Sequence, residues 1–298
     1  MRFLASFIMT GRIHAAGMVL LFTFLSWLMP LVSLFAVAAL ALPTLRQGAR
    51  EGGIIALIAL AGLVVFGGYL LGSPVNALVY GLLLWGPAWV CASVWRESGR
   101  LSSTLLVAAA LGVLAVLVAY AVLDNPAAFW TETFSQVAAS ALSQAPSAAD
   151  RDELLVRFQD FAAWLTGLIA LGSVASLVLS LFMARWWQAI LYNPGGFGAE
   201  FRQLTLPRNM AYALMGLTGL AMIAPEGIAA VSWNVIQPCL APFIFSGFAV
   251  LHVWLGGRSF WLQGIYVLLL IVPYILLPIL LLGFTDTLLN LRQRTGTR

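Results

Sequence analysis

Long stretches without a charged side chain constrain this sequence more than any motif in it. The longest runs from Gly52 to Trp95, and in the whole chain 62% of residues are hydrophobic while only 9% are charged. Soluble domains carry about a quarter of their residues as charges, and one helical crossing of a bilayer needs about 20 apolar residues. Several stretches reach that length. The chain is therefore predicted to be all-α, a polytopic transmembrane helical bundle that forms one domain over residues 1–298.

Charges and turn residues divide the chain into predicted membrane segments. Pro30 interrupts the stretch Ile13–Leu45, which predicts a hairpin of two short helices. Gly72-Ser73-Pro74 interrupts the long stretch after Gly52, which predicts a turn between two spans. The remaining uncharged segments are Leu101–Leu123, Phe161–Ala184, Asn209–Pro225, Gly227–Gly257 and Ser259–Thr285.

Arginines orient the predicted segments in the membrane. The positive-inside rule assigns the loops with Arg12, Arg46, Arg96 and Arg185 to the cytoplasm, which predicts a cytoplasmic N-terminus. If all three C-terminal stretches crossed, there would be nine spans and the arginine-rich tail would lie outside, against the rule. The sequence therefore favours about eight spans with both termini inside and a broken or re-entrant helix near the C-terminus. The candidate breaks are the proline pairs Pro238/Pro242 and Pro273/Pro278.

Residues 124–160 form the one long polar stretch, and because it is poor in arginine it is predicted to be an extracytoplasmic loop. Trp130, Phe134, Val137 and Ala141 recur at helical spacing, which predicts an amphipathic helix on the membrane surface. Ser147 is the predicted N-cap of a second helix that leads into the next span. The loop is either a plain connecting cap or a lid over a substrate, and the sequence leaves both interpretations open.

Residues 185–208 are predicted to form a cytoplasmic elbow. Aromatic residues anchor the end of a span at the interface, glycines that adopt positive φ make a turn, and a short helix then restarts with an apolar stripe that can lie on the membrane. The alternative is an anion-binding nest or a docking surface for a cytoplasmic partner. Its candidate contact residues are Arg185, Asn193, Gly195, Gly196 and Arg202.

The residue types that are missing exclude several chemistries. All fifteen basic residues are arginine; a Walker A loop needs a lysine at the phosphates, and a pyridoxal enzyme needs one for its Schiff base. His14, His252, Cys91 and Cys239 are too scattered to predict a metal site. The arginines lie at segment ends rather than on one face, which argues against nucleic-acid binding. No enzyme activity, metal or cofactor is predicted.

A group of polar side chains in the last two uncharged stretches forms the candidate ligand site. Transporters build binding sites from proline-broken helices in this way. Such side chains also make hydrogen bonds between membrane helices, and this second interpretation stays open. The candidate ligand-binding residues are Asn234, Gln237, His252, Gln263, Tyr266 and Tyr274.

Three stretches carry a resemblance to a known family: ARWWQAILYNPGGFGAEFR from Ala184, LRQGAREG from Leu45, and LGFTDTLLNLR from Leu282. They resemble the YybS-like family, bacterial inner-membrane proteins of unknown function, over nearly the whole chain. The resemblance implies a distant similarity to the S-components of energy-coupling-factor transporters and to the rod-shape protein MreD. S-components dock on their coupling subunit through alanines four residues apart on the first helix, whereas this chain has Ala15 but Val19.

Two functions of different classes are expected from these observations. The first is a small-molecule binding or transport subunit, similar to S-components, whose energy comes from a cytoplasmic or membrane coupling partner. The second is a non-catalytic, MreD-like scaffold in cell-envelope assembly, with the elbow and the acidic loop as contact surfaces. In both, the lipid bilayer is the main partner of the chain.

Overall fold

The computed structural model describes residues 1–70, 72–134, 148–256 and 259–292, and these ranges contain helices and no β-strand. The helix Ala49–Gly62 continues as a π-helical turn, Leu63–Gly67, and a final short turn, Gly68–Leu70. Thirteen helices are described: α1 Arg2–Ile8, α2 Arg12–Ser26, α3 Ser33–Gln47, α4 Ala49–Gly62, α5 Pro74–Ser98, α6 Leu101–Val122, α7 Pro126–Thr133, α8 Ala148–Tyr192, α9 Gly196–Arg202, α10 Arg208–Ile223, α11 Glu226–Leu255, α12 Ser259–Ile271 and α13 Leu276–Leu289.

Six helical segments among the described residues are long and apolar enough to cross a membrane. Shorter apolar segments lie in α2, α12 and α13, each below the roughly 20 residues that a single crossing requires. The chain is thus a helical membrane protein, as its composition predicts. The six candidate spans are Pro30–Gln47, Ala49–Leu70, Pro74–Ser98, Leu101–Val122, Arg151–Tyr192 and Glu226–Leu255.

The helices form two compact units, each assembled from three separated stretches of chain. Unit 1 comprises Met1–Ala108, Ala175–Thr205 and Phe248–Ile275. Unit 2 comprises Ala109–Val174, Leu206–Gly247 and Leu276–Arg298.

Helix α3 is the centre of unit 1. Its residues 36–45 are all buried, and they are mostly alanine and leucine. Small side chains allow the neighbouring helices to approach closely. At Gly52 of α4, an added Cβ would overlap the side chain of Thr44, so this glycine is required for the close approach of α3 and α4.

Two glycines set the packing of α11 against α13 in unit 2. A Cβ on Gly247 would collide with the carbonyl oxygen of Ile279, and a Cβ on Gly283 would collide with the carbonyl oxygen of Phe243. Going from Ile279 to Gly283 along α13, the contacting residue on α11 changes from Gly247 back to Phe243. The two helices are therefore antiparallel.

Most helix boundaries follow the turn residues in the sequence. The chain breaks between α2 and α3 at a 3-10 turn that begins with Pro30. It turns again before α5, where Gly72 has φ 69° and the Ser73 hydroxyl accepts a hydrogen bond from the backbone N–H of Asn76 at 3.4 Å. A 3-10 turn at Pro273 separates α12 from α13. These breaks were predicted from the sequence.

The predicted break at Pro238/Pro242 is not observed, because α11 continues through both prolines. Proline removes one backbone hydrogen bond from a helix, and packing here accommodates its ring. Pro238 lies against Gly112 of α6, whose missing Cβ would stand 2.7 Å from the Cβ of Pro238. A contact distant in sequence thus favours the continuous helix.

The predicted extracytoplasmic loop is described only in part, from Asp124 to Phe134 and again from Ala148. Helix α7 has eight residues, and Trp130 in it donates to the hydroxyl of Thr166 at 2.9 Å, so its indole contacts α8. Val137, Ala141 and Ser147 lie outside the described residues. The second predicted helix does lead into the next span, because α8 is continuous for 45 residues.

Candidate functional site

Asn234 of α11 forms the most extensive polar contact within unit 2. Its side chain is buried, with 1% exposure. The Oδ1 atom accepts from the backbone N–H of Gly167 at 2.7 Å. The Nδ2 atom lies 2.8 Å from the carbonyl oxygen of Ala163 and 3.0 Å from both the carbonyl oxygen of Ala230 and the hydroxyl of Tyr120.

These contacts make Asn234 a brace between two helices. In a regular helix the N–H of Gly167 faces the carbonyl of Ala163, and the Asn234 amide binds both of these backbone groups. Gln237, one turn later, donates to the carbonyl of Trp164 at 3.3 Å, while its Oε1 is buried without a partner. The side-chain amide of Asn234 is therefore occupied by the protein itself, as the helix-packing interpretation predicts.

His252 and Tyr266 meet in unit 1. The Nδ1 of His252 lies 2.8 Å from the carbonyl oxygen of Phe248, to which it donates, and Nε2 lies 3.5 Å from the hydroxyl oxygen of Tyr266. The edge of Phe201 packs on the imidazole at 5.3 Å between ring centroids. The imidazole is thus held by aromatic contacts within unit 1.

The six predicted ligand-binding residues do not fall in one unit. Asn234 and Gln237 belong to unit 2, while the other four belong to unit 1. Gln263 and Tyr274 expose their side chains, with 79% exposure for Tyr274. No single polar site is assembled from the six within either unit.

A short turn joins two helices within the predicted elbow, residues 185–208. Helix α8 ends at Tyr192 and α9 begins at Gly196. Gly195 has φ 84°, a left-handed conformation that favours glycine. Gly196 does not share it; instead, a Cβ there would overlap the side chain of Asn193.

Glu200 of α9 closes the elbow by an ion pair. Its Oε2 accepts from Nε of Arg185 at 2.8 Å, and its Oε1 accepts from the indole N–H of Trp95 at 2.5 Å. Arg185 also donates to the side chain of Gln188 at 2.9 Å. Of the predicted anion-contact residues, Arg185 is thus paired within the protein. Asn193 and Arg202 lie at the surface.

The apolar stripe of α9 packs inward. Phe201 and Leu204 are buried, and both Phe197 and Phe201 lie 5.4 Å from the ring of Phe182. The expectation that this stripe lies on the membrane is therefore not met. The aromatic ring of Phe182 is the apolar partner of both phenylalanines.

Other arginines of unit 1 also have structural partners. Arg96 donates to the carbonyl oxygens of Leu45 and Arg46, at 2.8 and 2.6 Å, where α3 ends. A cation at this position satisfies terminal carbonyls and interacts favourably with the helix dipole. Arg46 stacks over Tyr192 at 4.3 Å. The positive-inside pattern does not indicate these roles, because the partners are backbone atoms and a ring distant in sequence.

An apolar cleft of about 430 Å³ lies within unit 2, between α10, α11 and α13. The one hydroxyl in its wall, on Thr218, donates to the carbonyl of Leu214 at 2.8 Å. Sequence reasoning missed the cleft because it searched for polar residues. The lining residues are Leu214, Met215, Thr218, Gly219, Met222, Leu240, Leu280, Leu281 and Phe284.

Metal ligands do not converge in the described part of the chain, where no group of three His, Cys, Asp or Glu side chains is found. The protein also matches no protein-family model, no curated protein and no solved structure. The resemblance to YybS-like proteins therefore stays a prediction.

Proposed function

We propose that this chain is a membrane-embedded, small-molecule-binding subunit, as the resemblance to S-components implies. The observation that supports the proposal is the cleft in unit 2, whose volume of about 430 Å³ lies in the range of small-molecule sites, roughly 300–1,000 Å³. The polar candidates support it less, because the amide of Asn234 is occupied by helix backbone. The binding site of the proposal is thus the cleft.

Helix α2, which carries Ala15 and Val19, supports a subunit without S-component-like docking. Ala15 and Val19 would occupy the docking positions, and they are 1% and 0% exposed. A coupling partner cannot contact buried side chains, so any partner of this chain binds another surface.

Gly219→Phe is the variant that tests the cleft. A side chain at this position enters the cleft, and a Cβ there has no atom within 4 Å, so the backbone tolerates it. We expect a ligand found by thermal-shift screening to raise the melting temperature of the unmodified protein and to leave that of Gly219→Phe unchanged.

Gly216→Phe is the matched control, because Gly216 is on the same helix, also faces open space and does not line the cleft. It should respond to ligand as the unmodified protein does. If a broad screen moves no melting temperature and affinity purification recovers cell-wall assembly proteins, the MreD-like scaffold replaces the binding proposal.

We propose further that the protein lies in a bacterial inner membrane with its N-terminus and elbow in the cytoplasm. The antiparallel packing of α11 and α13 bears on the number of spans. We take α10 to cross outward from the elbow and α11 to cross back, so that α13, which is antiparallel to α11, crosses outward again. This course favours the nine-crossing alternative.

A reporter fused after Arg298 is therefore expected to report the extracytoplasmic side. The sequence favoured the opposite result because of the C-terminal arginines, but Arg292 forms an ion pair with Asp286 at 2.6 Å, in which the carboxylate is buried. Reporters after Gln47 and after Asn125 are the controls, expected inside and outside. A cytoplasmic signal after Arg298 with both controls as expected would restore the eight-span topology.

A further inference from the structure

We infer that the occupant of the unit 2 cleft is the hydrocarbon chain of a membrane lipid. The inference rests on the proposed function, because it names the ligand class of that same site. The lining chemistry, the depth of the cleft and its opening are three separate observations that carry it.

The cleft is lined almost entirely by apolar side chains. Eight of its nine residues have apolar side chains or none, and the hydroxyl of Thr218 is already bonded to the backbone of its own helix. A phosphate, carboxylate or ammonium group would be buried there without a partner, which is strongly unfavourable. A hydrocarbon chain has no such groups.

The cleft lies beside the middle of a candidate membrane span. Leu240 contributes to its wall and lies halfway along the 30-residue candidate span α11. A helix of that length exceeds the hydrocarbon core of roughly 30 Å, so its middle residues lie inside the core. The neighbouring solvent at this depth is lipid tails rather than water.

The cleft opens to the surface of unit 2. Met215, Met222 and Leu281 line it and are 54%, 74% and 62% exposed. A lipid tail can therefore enter sideways from the bilayer. The two methionines are unbranched and adaptable, so they can pack against tails of different length and unsaturation.

The test uses photo-crosslinking in the membrane. The full-length protein is reconstituted in phosphatidylcholine vesicles that contain a phosphatidylcholine with a diazirine in one tail, and crosslinked peptides are mapped by mass spectrometry. We expect labels concentrated on α10 and α13 at the cleft. Gly219→Phe should reduce this labelling about tenfold, since filling the site displaces the tail, while Gly216→Phe should retain it.

A second variant tests whether a loss of labelling in Gly219→Phe comes from a filled cleft or from misfolding. Met222→Trp fills the mouth of the cleft from an exposed position and should also reduce labelling, with a melting temperature near that of the unmodified protein. Equal labelling of the cleft in the unmodified protein and both filled variants would overturn the inference, because the label would then report ordinary lipid contact.

The outcome also separates this inference from the proposed function. If a water-soluble compound stabilises the unmodified protein but not Gly219→Phe, while lipid labelling is insensitive to the variant, the lipid assignment fails and the binding function stands. If no compound stabilises the protein and labelling is insensitive, both fail.

Discussion

Gly283→Ala is expected to destabilise the protein more than any other single added methyl group in unit 2. The new Cβ would overlap the carbonyl oxygen of Phe243 and stand 2.6 Å from the backbone nitrogen of Gly247. Backbone atoms cannot rotate away as a side chain can, so α11 and α13 must separate. Overpacking of this kind costs about 3 kcal/mol of unfolding free energy, measurable by thermal or denaturant unfolding in detergent.

Gly216→Ala is the matched control for this prediction. Gly216 lies in α10 of the same unit, and a Cβ there meets no atom within 4 Å. Alanine favours a helix over glycine by about 1 kcal/mol, so this variant should unfold at or slightly above the temperature of the unmodified protein. If both variants unfold alike, α11 and α13 do not pack through Gly283.

Asn234→Asp is expected to have the second large effect. Aspartate keeps the shape and the acceptor for the N–H of Gly167 but loses the donor that faces Ala163, Ala230 and Tyr120. Its charge would then face two carbonyl oxygens in a buried position, so several groups lose their partner at once. We expect a loss of about 3 kcal/mol in unfolding free energy.

Two comparisons isolate the lost donor. Asn76→Asp is the same substitution at an exposed position in the first turn of α5, where a negative charge is favourable, so stability should be kept. Tyr120→Phe removes one of the partners of Asn234 and should cost about 1 kcal/mol. An Asn234→Asp variant as stable as Tyr120→Phe would mean that Asn234 does not brace the helices.

The helices were largely predictable from the sequence because their ends are marked locally. Pro30, Gly72 and Pro273 end helices where the sequence predicts, since glycine and proline act through their own backbone. Pro238 and Pro242 do not end a helix, and Pro238 lies against Gly112, which is distant in sequence. A long-range contact of that kind has no signal in the segment that contains the prolines.

The polar and binding sites were less predictable for a different reason. The partners of Asn234 and Arg96 are mostly carbonyl and amide groups of the backbone, which every residue possesses, so the sequence does not identify them. The cleft is defined in part by a missing side chain, at Gly219. The sequence alone does not tell whether a glycine in a helix leaves space for a cleft, as at Gly219, or permits close helix packing, as at Gly283.

The interleaving of the two units has a consequence for biosynthesis. Unit 1 needs residues up to Ile275, and unit 2 takes segments from between those of unit 1. Domains usually fold as they emerge from the ribosome, the N-terminal one first. Here the indole of Trp95 can bind Glu200 only after about a hundred further residues have been synthesised. Neither unit can be completed before nearly the whole polypeptide has been inserted, so a nascent chain halted at residue 200 exposes unfinished surfaces of both units to the insertion machinery.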